Sequence, residues 1–196
     1  MAQQPDTVFL KNLLESHPDM FNHILNHPTH NEVQILYTQI DRDENNMPHF
    51  KTYSYRLNAG HYFYPASTVK LPTAIFALEK LNELNIKGFT VKSTMITDSA
   101  FAGQTKVTKD TSSKNGLPSM ENYIKKILLV SDNDAYNRLY EFVGREEVNN
   151  KLKKYNLTGT RILCSLAIGD NGERTRHTTP VDFYDGKKLV YHKPPL

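Results

Sequence analysis

The sequence has little cysteine and no long apolar run, and both shortages exclude classes of protein. Cys164 is the single cysteine in 196 residues, so no disulfide can form within the chain, and a buried thiol is favoured over a catalytic one because no cysteine motif surrounds it. No stretch reaches about 18 apolar residues, the length of a membrane span. The N-terminal residues also lack the basic start and apolar stretch of a signal peptide. A membrane-spanning helix and a leader in this chain are therefore not expected.

Basic residues are present but not clustered. The net charge of +3 is spread along the chain without a long basic block, so nucleic acid is not an expected partner. No glycine-rich phosphate loop is present. Hydrophobic residues at 38% and charged residues at 23% are typical of a soluble globular protein. The length suits a single domain over residues 1–196, or part of a larger one.

The N-terminal half predicts helices and one hairpin. Apolar spacing in 6–26 predicts two short helices that separate at Pro18. Segments 32–43 and 50–59 read as two strands of a β-hairpin joined by a polar turn. A central helix over about 67–84 follows, with a continuous buried face formed by these residues: Val69, Leu71, Ala74, Ile75, Leu78, Leu81 and Leu84.

The C-terminal half is predicted from helical periods and turn residues. A short strand is possible near 88–96, and helices are expected over 119–130, over about 132–143 with a left-handed cap at Gly144, and over 145–157. The remaining residues contain turn signals and one possible hairpin. No internal repeat is present.

The first candidate for chemistry is the stretch PASTVK, in which Ser67 precedes Lys70 by three residues at the start of a helix. Three residues span almost one helical turn, so both side chains should lie on one face. A neutral lysine amine there could accept the serine proton, which requires a lowered pKa. Chance alone supplies about one such spacing in a chain with 10 serines and 17 lysines. Ser67 as a simple helix N-cap is the alternative.

The second candidate is the tripeptide SDN, formed by Ser131, Asp132 and Asn133, which lies 64 residues beyond Ser67. Ser131 can pass a proton between a lysine and a leaving nitrogen, and Asn133 can hold a substrate amide and Lys70 together. Asp132 suits the cap of the following helix. The alternative is that SDN is only a turn and an N-cap.

Together these motifs resemble those of the class A serine β-lactamases and the related penicillin-binding D-alanyl-D-alanine peptidases. The stretch GDNGERTRHTTP is similar to the segment that follows the Ω-loop in class A enzymes. The resemblance covers most of the chain. It implies an α+β fold with a helical subdomain and an antiparallel sheet, with Ser67 as the acylated nucleophile, Lys70 as its base partner, Ser131 as proton shuttle and Asn133 as a substrate-binding amide.

Two features of the family pattern are missing. The segment RILCSLAIGDN offers Cys164 and Ser165 where class A enzymes carry a glutamate that orients the hydrolytic water, and the nearest acid, Glu173, lies beyond Gly169 and Asp170. No K-T-G triad follows SDN. We expect either that the chain is an N-terminal fragment, truncated before the strands that would carry the triad, or that it has lost the activity. Acylation is thus better supported than turnover.

Histidines and aromatic residues give weaker signals. His23 and His27 have the i, i+4 spacing of zinc ligands, but no H-E-x-x-H is completed, so surface histidines are favoured over a metal site. Tyr62, Phe63 and Tyr64 precede the serine, and core packing is favoured there over a substrate shelf.

The sequence therefore predicts a serine hydrolase that is acylated at Ser67 by β-lactams and hydrolyses their amide. The alternatives are an acyl-transfer enzyme of the D-alanyl-D-alanine peptidase type and a penicillin- or peptidoglycan-binding module without turnover. No metal or organic cofactor is implied. The expected partner is a small β-lactam or a peptidoglycan peptide, and the resemblance implies a periplasmic or secreted location.

Overall fold

A computed structural model describes residues 5–168 and 176–196 of the chain. In these residues the fold is a mixed one, with six α-helices and two antiparallel sheets. The chain divides into two compact units, Met1–Phe63 and Tyr64–Leu196. That the whole chain acts as a single, C-terminally truncated domain stays a prediction, as does the existence of further strands.

The N-terminal unit consists of two helices and a hairpin, as the sequence predicts. Helices α1 (Phe9–Glu15) and α2 (Pro18–Asn26) separate at Pro18, which is the first residue of α2 because a helix tolerates proline there. Strands β1 (Ile35–Arg42) and β2 (Pro48–Tyr55) pair antiparallel. The ring of Tyr53 on β2 is buried and lies 4.6 Å from that of Phe9 on α1, which anchors the helix to the hairpin.

The C-terminal unit begins with a 3₁₀ turn, Ala66–Val69, that leads directly into α3 (Lys70–Leu84). Strand β3 (Thr94–Thr97) follows, and then α4 (Met120–Val130), α5 (Asn133–Val143) and α6 (Arg145–Lys154). Strands β4 (Val181–Asp185) and β5 (Lys188–Lys193) form a hairpin, and the sheet order is β3-β4-β5. The C-terminal hairpin therefore exists.

The predicted buried face of α3 is partly wrong. Leu71 and Ile75 are 54% and 50% exposed. Instead the helix buries the face that carries Thr73, Ala74, Phe76 and Ala77, and α3 packs against α5. Ala74, Phe76 and Ala77 enter the hydrophobic core of the C-terminal unit, and Leu78, Leu81 and Leu84 pack against that core.

Three further predictions are also corrected. Cys164 is exposed rather than buried. Tyr62, Phe63 and Tyr64 do not pack in a core, since they are 78%, 66% and 67% exposed. Gly144 has a φ of 94° but a ψ of 139°, so it is not a left-handed helical cap. It joins α5 directly to α6 in a conformation that is rare for any residue with a Cβ atom.

Candidate active site

Ser67 lies in the 3₁₀ turn that precedes α3, and its side chain is exposed. The backbone N–H of Lys70 donates to the Ser67 carbonyl, so the two residues are held one turn apart. No side-chain hydrogen bond caps this turn, which removes the interpretation of Ser67 as a simple N-cap. Ala66, just before it, has a φ of 45°, a left-handed conformation that costs about 1 kcal/mol or more outside glycine.

The tripeptide 131–133 joins α4 to α5, as the sequence predicts. Ser131 follows the last residue of α4 and adopts the left-handed conformation, with φ 55° and ψ 42°. Asp132 caps α5, since its carboxylate accepts a hydrogen bond of 2.8 Å from the Ala135 backbone N–H. Asn133 is then the first residue of α5. The turn-and-cap interpretation is correct, and the same turn places Ser131 and Asn133 beside Lys70.

The Lys70 amine is the centre of the site. Its Nζ lies 2.5 Å from the Ser131 carbonyl oxygen, 2.6 Å from Asn133 Oδ1, 2.9 Å from Ser131 Oγ and 3.2 Å from Ser67 Oγ. Lys70 is only 3% exposed, whereas Ser67, Ser131 and Asn133 are exposed. The site is thus a buried amine covered by three solvent-facing polar residues.

The geometry around Nζ separates two kinds of partner. The Ser131 carbonyl and Asn133 Oδ1 can only accept, so each takes one N–H of Lys70. The remaining position on the nitrogen is directed to the two hydroxyls, Ser67 Oγ and Ser131 Oγ. It can hold a third proton or, in the neutral amine, a lone pair that accepts a hydroxyl proton.

Burial acts on the charge of Lys70. Loss of hydration lowers the pKa of its amine below the usual range, and the nearby Asp132 carboxylate opposes this shift. The lowered pKa increases the fraction of neutral amine at a given pH, which is the form that can serve as a base.

A second set of residues, which sequence reasoning missed, fixes the segment 162–166 along α5 and α6. The Asn137 amide accepts from the Leu166 N–H at 2.7 Å and donates to the Leu166 carbonyl at 2.9 Å. Asn149 does the same for the backbone of Ile162, at 3.1 Å and 2.7 Å. Tyr136 donates to the Cys164 carbonyl at 3.0 Å. The i, i+4 spacing of Asn133 and Asn137 on α5 was the available signal.

This anchored segment is where the sequence lacks the glutamate of class A enzymes. Within 161–168 the side chain of Ser165 is nearly buried and that of Cys164 is exposed, and neither carries a carboxylate. Gly169, Asp170 and Glu173 lie outside the described residues. Among the described residues, no cluster of three or more histidine, cysteine, aspartate or glutamate side chains is placed to hold a metal ion.

The fold and the site together define an α+β protein with a serine and a buried lysine at the start of one helix, completed by a second serine and an asparagine from the next helical junction. A family model described as "Beta-lactamase enzyme family" matches residues 20–193. The chain therefore belongs to the beta-lactamase enzyme family. Neither curated proteins nor solved structures gave a match. In the described part of the chain, no helix has the length and apolar character needed to cross a membrane.

Proposed function

We propose that this member of the beta-lactamase family is a serine acyl-transfer enzyme that is acylated at Ser67 by β-lactams. The observation that carries the proposal is the position of the Lys70 amine, which is buried and within hydrogen-bonding distance of both Ser67 Oγ and Ser131 Oγ. Family membership supports a β-lactamase-like activity in general.

Acylation proceeds through Ser67 Oγ, Lys70 Nζ and Ser131 Oγ. Ser67 Oγ attacks the lactam carbonyl carbon, and its proton passes to the neutral Lys70 amine. A tetrahedral adduct forms and then collapses as the ring C–N bond breaks. The leaving nitrogen takes a proton from the Ser131 hydroxyl, which regains one from the Lys70 ammonium at 2.9 Å. The products are an ester on Ser67 and a neutral lysine, so the charges balance.

Asn133 supports the binding of substrate in this proposal. Its Oδ1 accepts from Lys70, which orients the amide so that Nδ2 is left as a donor. Among the described residues Asn133 Nδ2 has no hydrogen-bond partner, and Asn133 is exposed. The free N–H groups can donate to the carbonyl of an acylamino side chain on the substrate, as the family resemblance implies.

The proposal is tested by incubating the chain with a fluorescent penicillin and locating the adduct by mass spectrometry. We expect the mass of the penicillin to appear on the peptide that contains Ser67. Ser67→Ala should abolish labelling, while the same change at an exposed serine of the N-terminal unit, Ser16→Ala, should leave it intact. Labelling that survives Ser67→Ala would remove Ser67 as the nucleophile.

A second candidate differs only in the fate of the ester. Residues 161–168 carry no carboxylate to activate water, and loss of a general base typically slows a step by about 10²–10⁴-fold. This observation favours transfer to an amine, as in a D-alanyl-D-alanine peptidase, or a module that stays acylated.

Three measurements distinguish these fates. Nitrocefin turnover that disappears in Ser67→Ala indicates a β-lactamase. Release of D-alanine from a peptide ending in D-alanyl-D-alanine, with transfer to added glycylglycine, indicates a peptidase. A stable adduct without either activity indicates a binding module.

A further inference from the structure

A cleft of about 870 Å³ lies in the C-terminal unit, away from the candidate active site. One wall carries Lys80, which follows Lys70 by ten residues on α3 and therefore lies about 15 Å from it along the helix axis. None of Ser67, Lys70, Ser131 or Asn133 lines the cleft. Its volume is within the range of sites for small ligands, about 300–1,000 Å³.

The cleft carries an excess of positive charge. Its lining includes five cationic side chains and two carboxylates, which are Lys80, Arg145, Lys153, Arg161 and Arg176, with Glu146 and Glu147. The Lys80 amine is 2.5 Å from Glu147, so this pair accounts for one charge of each sign. Arg176 also makes an interaction of its own, so three cations and one carboxylate remain. Within the described residues, no ion pair is formed by Arg145, Lys153 or Arg161.

Arg145 lies at a position where the helix dipole of α6 disfavours a positive charge. It is the first residue of α6, where the helix dipole favours acidic side chains and disfavours cations. Glu146 and Glu147 follow this rule, but Arg145 does not. A residue that breaks a local rule without a compensating contact is more often found at functional sites.

The pKa of Lys193, which contacts the cleft residue Thr178, is also affected by positive charge on this side of the unit. Lys193 is buried and its Nζ donates at 2.7 Å to the hydroxyl of Thr178, which lines the cleft. Burial first, and then the positive charge of Lys80, lower the pKa of Lys193 to about 8. Another positive charge is therefore costly on this side of the unit.

We propose that this cleft binds a small molecule with two or more oxyanion groups at a site separate from Ser67. Two anionic groups are the minimum that offsets the remaining charge, and the planar guanidinium groups of Arg145 and Arg161 suit bidentate contacts to phosphate or carboxylate. Phosphate and carboxylate groups both accept such bidentate contacts, so the experiment must distinguish a phosphate ligand from a carboxylate ligand.

The test is isothermal titration calorimetry of the whole chain with inorganic pyrophosphate and with citrate. At low ionic strength we expect saturable binding of at least one probe, with the tighter probe identifying the anion type. Raising the salt to about 0.3 M should weaken binding by at least about 10-fold, because the site is open to solvent. Acetate at the same concentration should give no measurable binding.

Variants locate the binding. Arg145→Glu and Arg161→Glu should each weaken the affinity by at least about 10-fold. Lys87→Glu makes the same charge change at an exposed lysine outside the cleft and should change the affinity less than about 2-fold. Circular dichroism checks that each variant is folded. If a charge-reversal variant is unfolded, the neutral variant Arg145→Gln or Arg161→Gln is measured in its place.

Two results would overturn the proposal. One is the absence of binding by either probe up to about 10 mM at low salt, an affinity weaker than about 3 kcal/mol. The other is equal weakening by Lys87→Glu and by the arginine variants, which would assign the binding to the overall charge of the protein. Neither result depends on acylation of Ser67, so the proposed function stands or fails independently.

Discussion

Lys70 Nζ lies 3.2 Å from Ser67 Oγ, and the lysine is 3% exposed while the serine faces solvent. A buried cation normally needs a carboxylate at contact distance, but the four atoms around this amine belong to hydroxyl, carbonyl and amide groups. Dipolar partners of this kind stabilise the protonated amine less than a carboxylate would, so the neutral form of Lys70 is favoured. Such an amine is suited to exchanging a proton with Ser67.

Replacement of Lys70 tests this exchange. Lys70→Met keeps much of the buried side chain but removes the amine, and it should lower the second-order rate of labelling by a fluorescent penicillin by at least about 10²-fold. Lys92→Met makes the same change at an exposed lysine and should leave the rate unchanged. An equal rate for wild type and Lys70→Met would exclude Lys70 as the base.

The pH dependence of labelling follows from the lowered pKa of Lys70. Burial favours the neutral amine, and only this form accepts the Ser67 proton. The rate should therefore rise with pH and reach a plateau at a pH below the usual lysine value of 10.5. The measurement is the labelling rate at each pH on folded protein. A rate that falls as pH rises through this window would contradict the assignment.

Asn137 offers a test of the anchored segment 162–166. Asn137→Leu removes both hydrogen bonds to Leu166 and leaves two backbone groups without their partner. The free energy of unfolding should fall by about 2–4 kcal/mol, measured by urea denaturation. Asn150→Leu at an exposed position of α6 should change it by about 0.5 kcal/mol or less. An unchanged urea midpoint for Asn137→Leu would show that the two hydrogen bonds from Asn137 to Leu166 do not stabilise the fold.

Lys193 makes stability depend on pH in the alkaline range. Its pKa is about 8 in the folded chain against 10.5 when unfolded, so the unfolded chain holds the proton between these values. Stability contributed by this group must therefore rise with pH. From pH 7 to about 9.5 the gain is about 2 kcal/mol relative to Lys193→Met, which cannot titrate.

Paired urea denaturation curves of the two proteins at each pH measure this gain, and the comparison removes the contribution of other titrating groups. If the free energy of unfolding of the wild type falls relative to that of Lys193→Met over this pH range, the pKa of Lys193 is not lowered by folding.

Secondary structure was largely predictable because its signals are local. Pro18 marks the start of α2, Asp132 caps α5, and the polar stretch after Arg42 turns the hairpin. The faces that these elements bury were harder to predict. Leu71 and Ile75 continue the apolar period of α3, yet the helix buries Ala74, Phe76 and Ala77 instead, because packing against the other elements of the core decides which face is covered.

The backbone conformations of Ala66, which precedes Ser67, and of Ser131 show the same limit. Nothing in the letters PAS or VSD indicates that Ala66 and Ser131 adopt positive φ values. Both belong to residue types that avoid this region, and packing of the flanking helices must hold them there. Cys164 is a similar case. Its exposure depends on how the anchored segment 162–166 is held against α5 and α6, and not on its neighbours in sequence.

The sequence by itself determined the chemical groups of the site: a serine one turn before a lysine, and a serine and an asparagine 64 and 66 residues after the first serine. Only the tertiary structure decided that Lys70 is buried and that its amine meets both Ser67 and Ser131. Local propensity acts over a few residues, whereas Lys70 and Ser131 are separated by 61. Their contact, and with it the pKa of Lys70, exists because α3, α4 and α5 pack together.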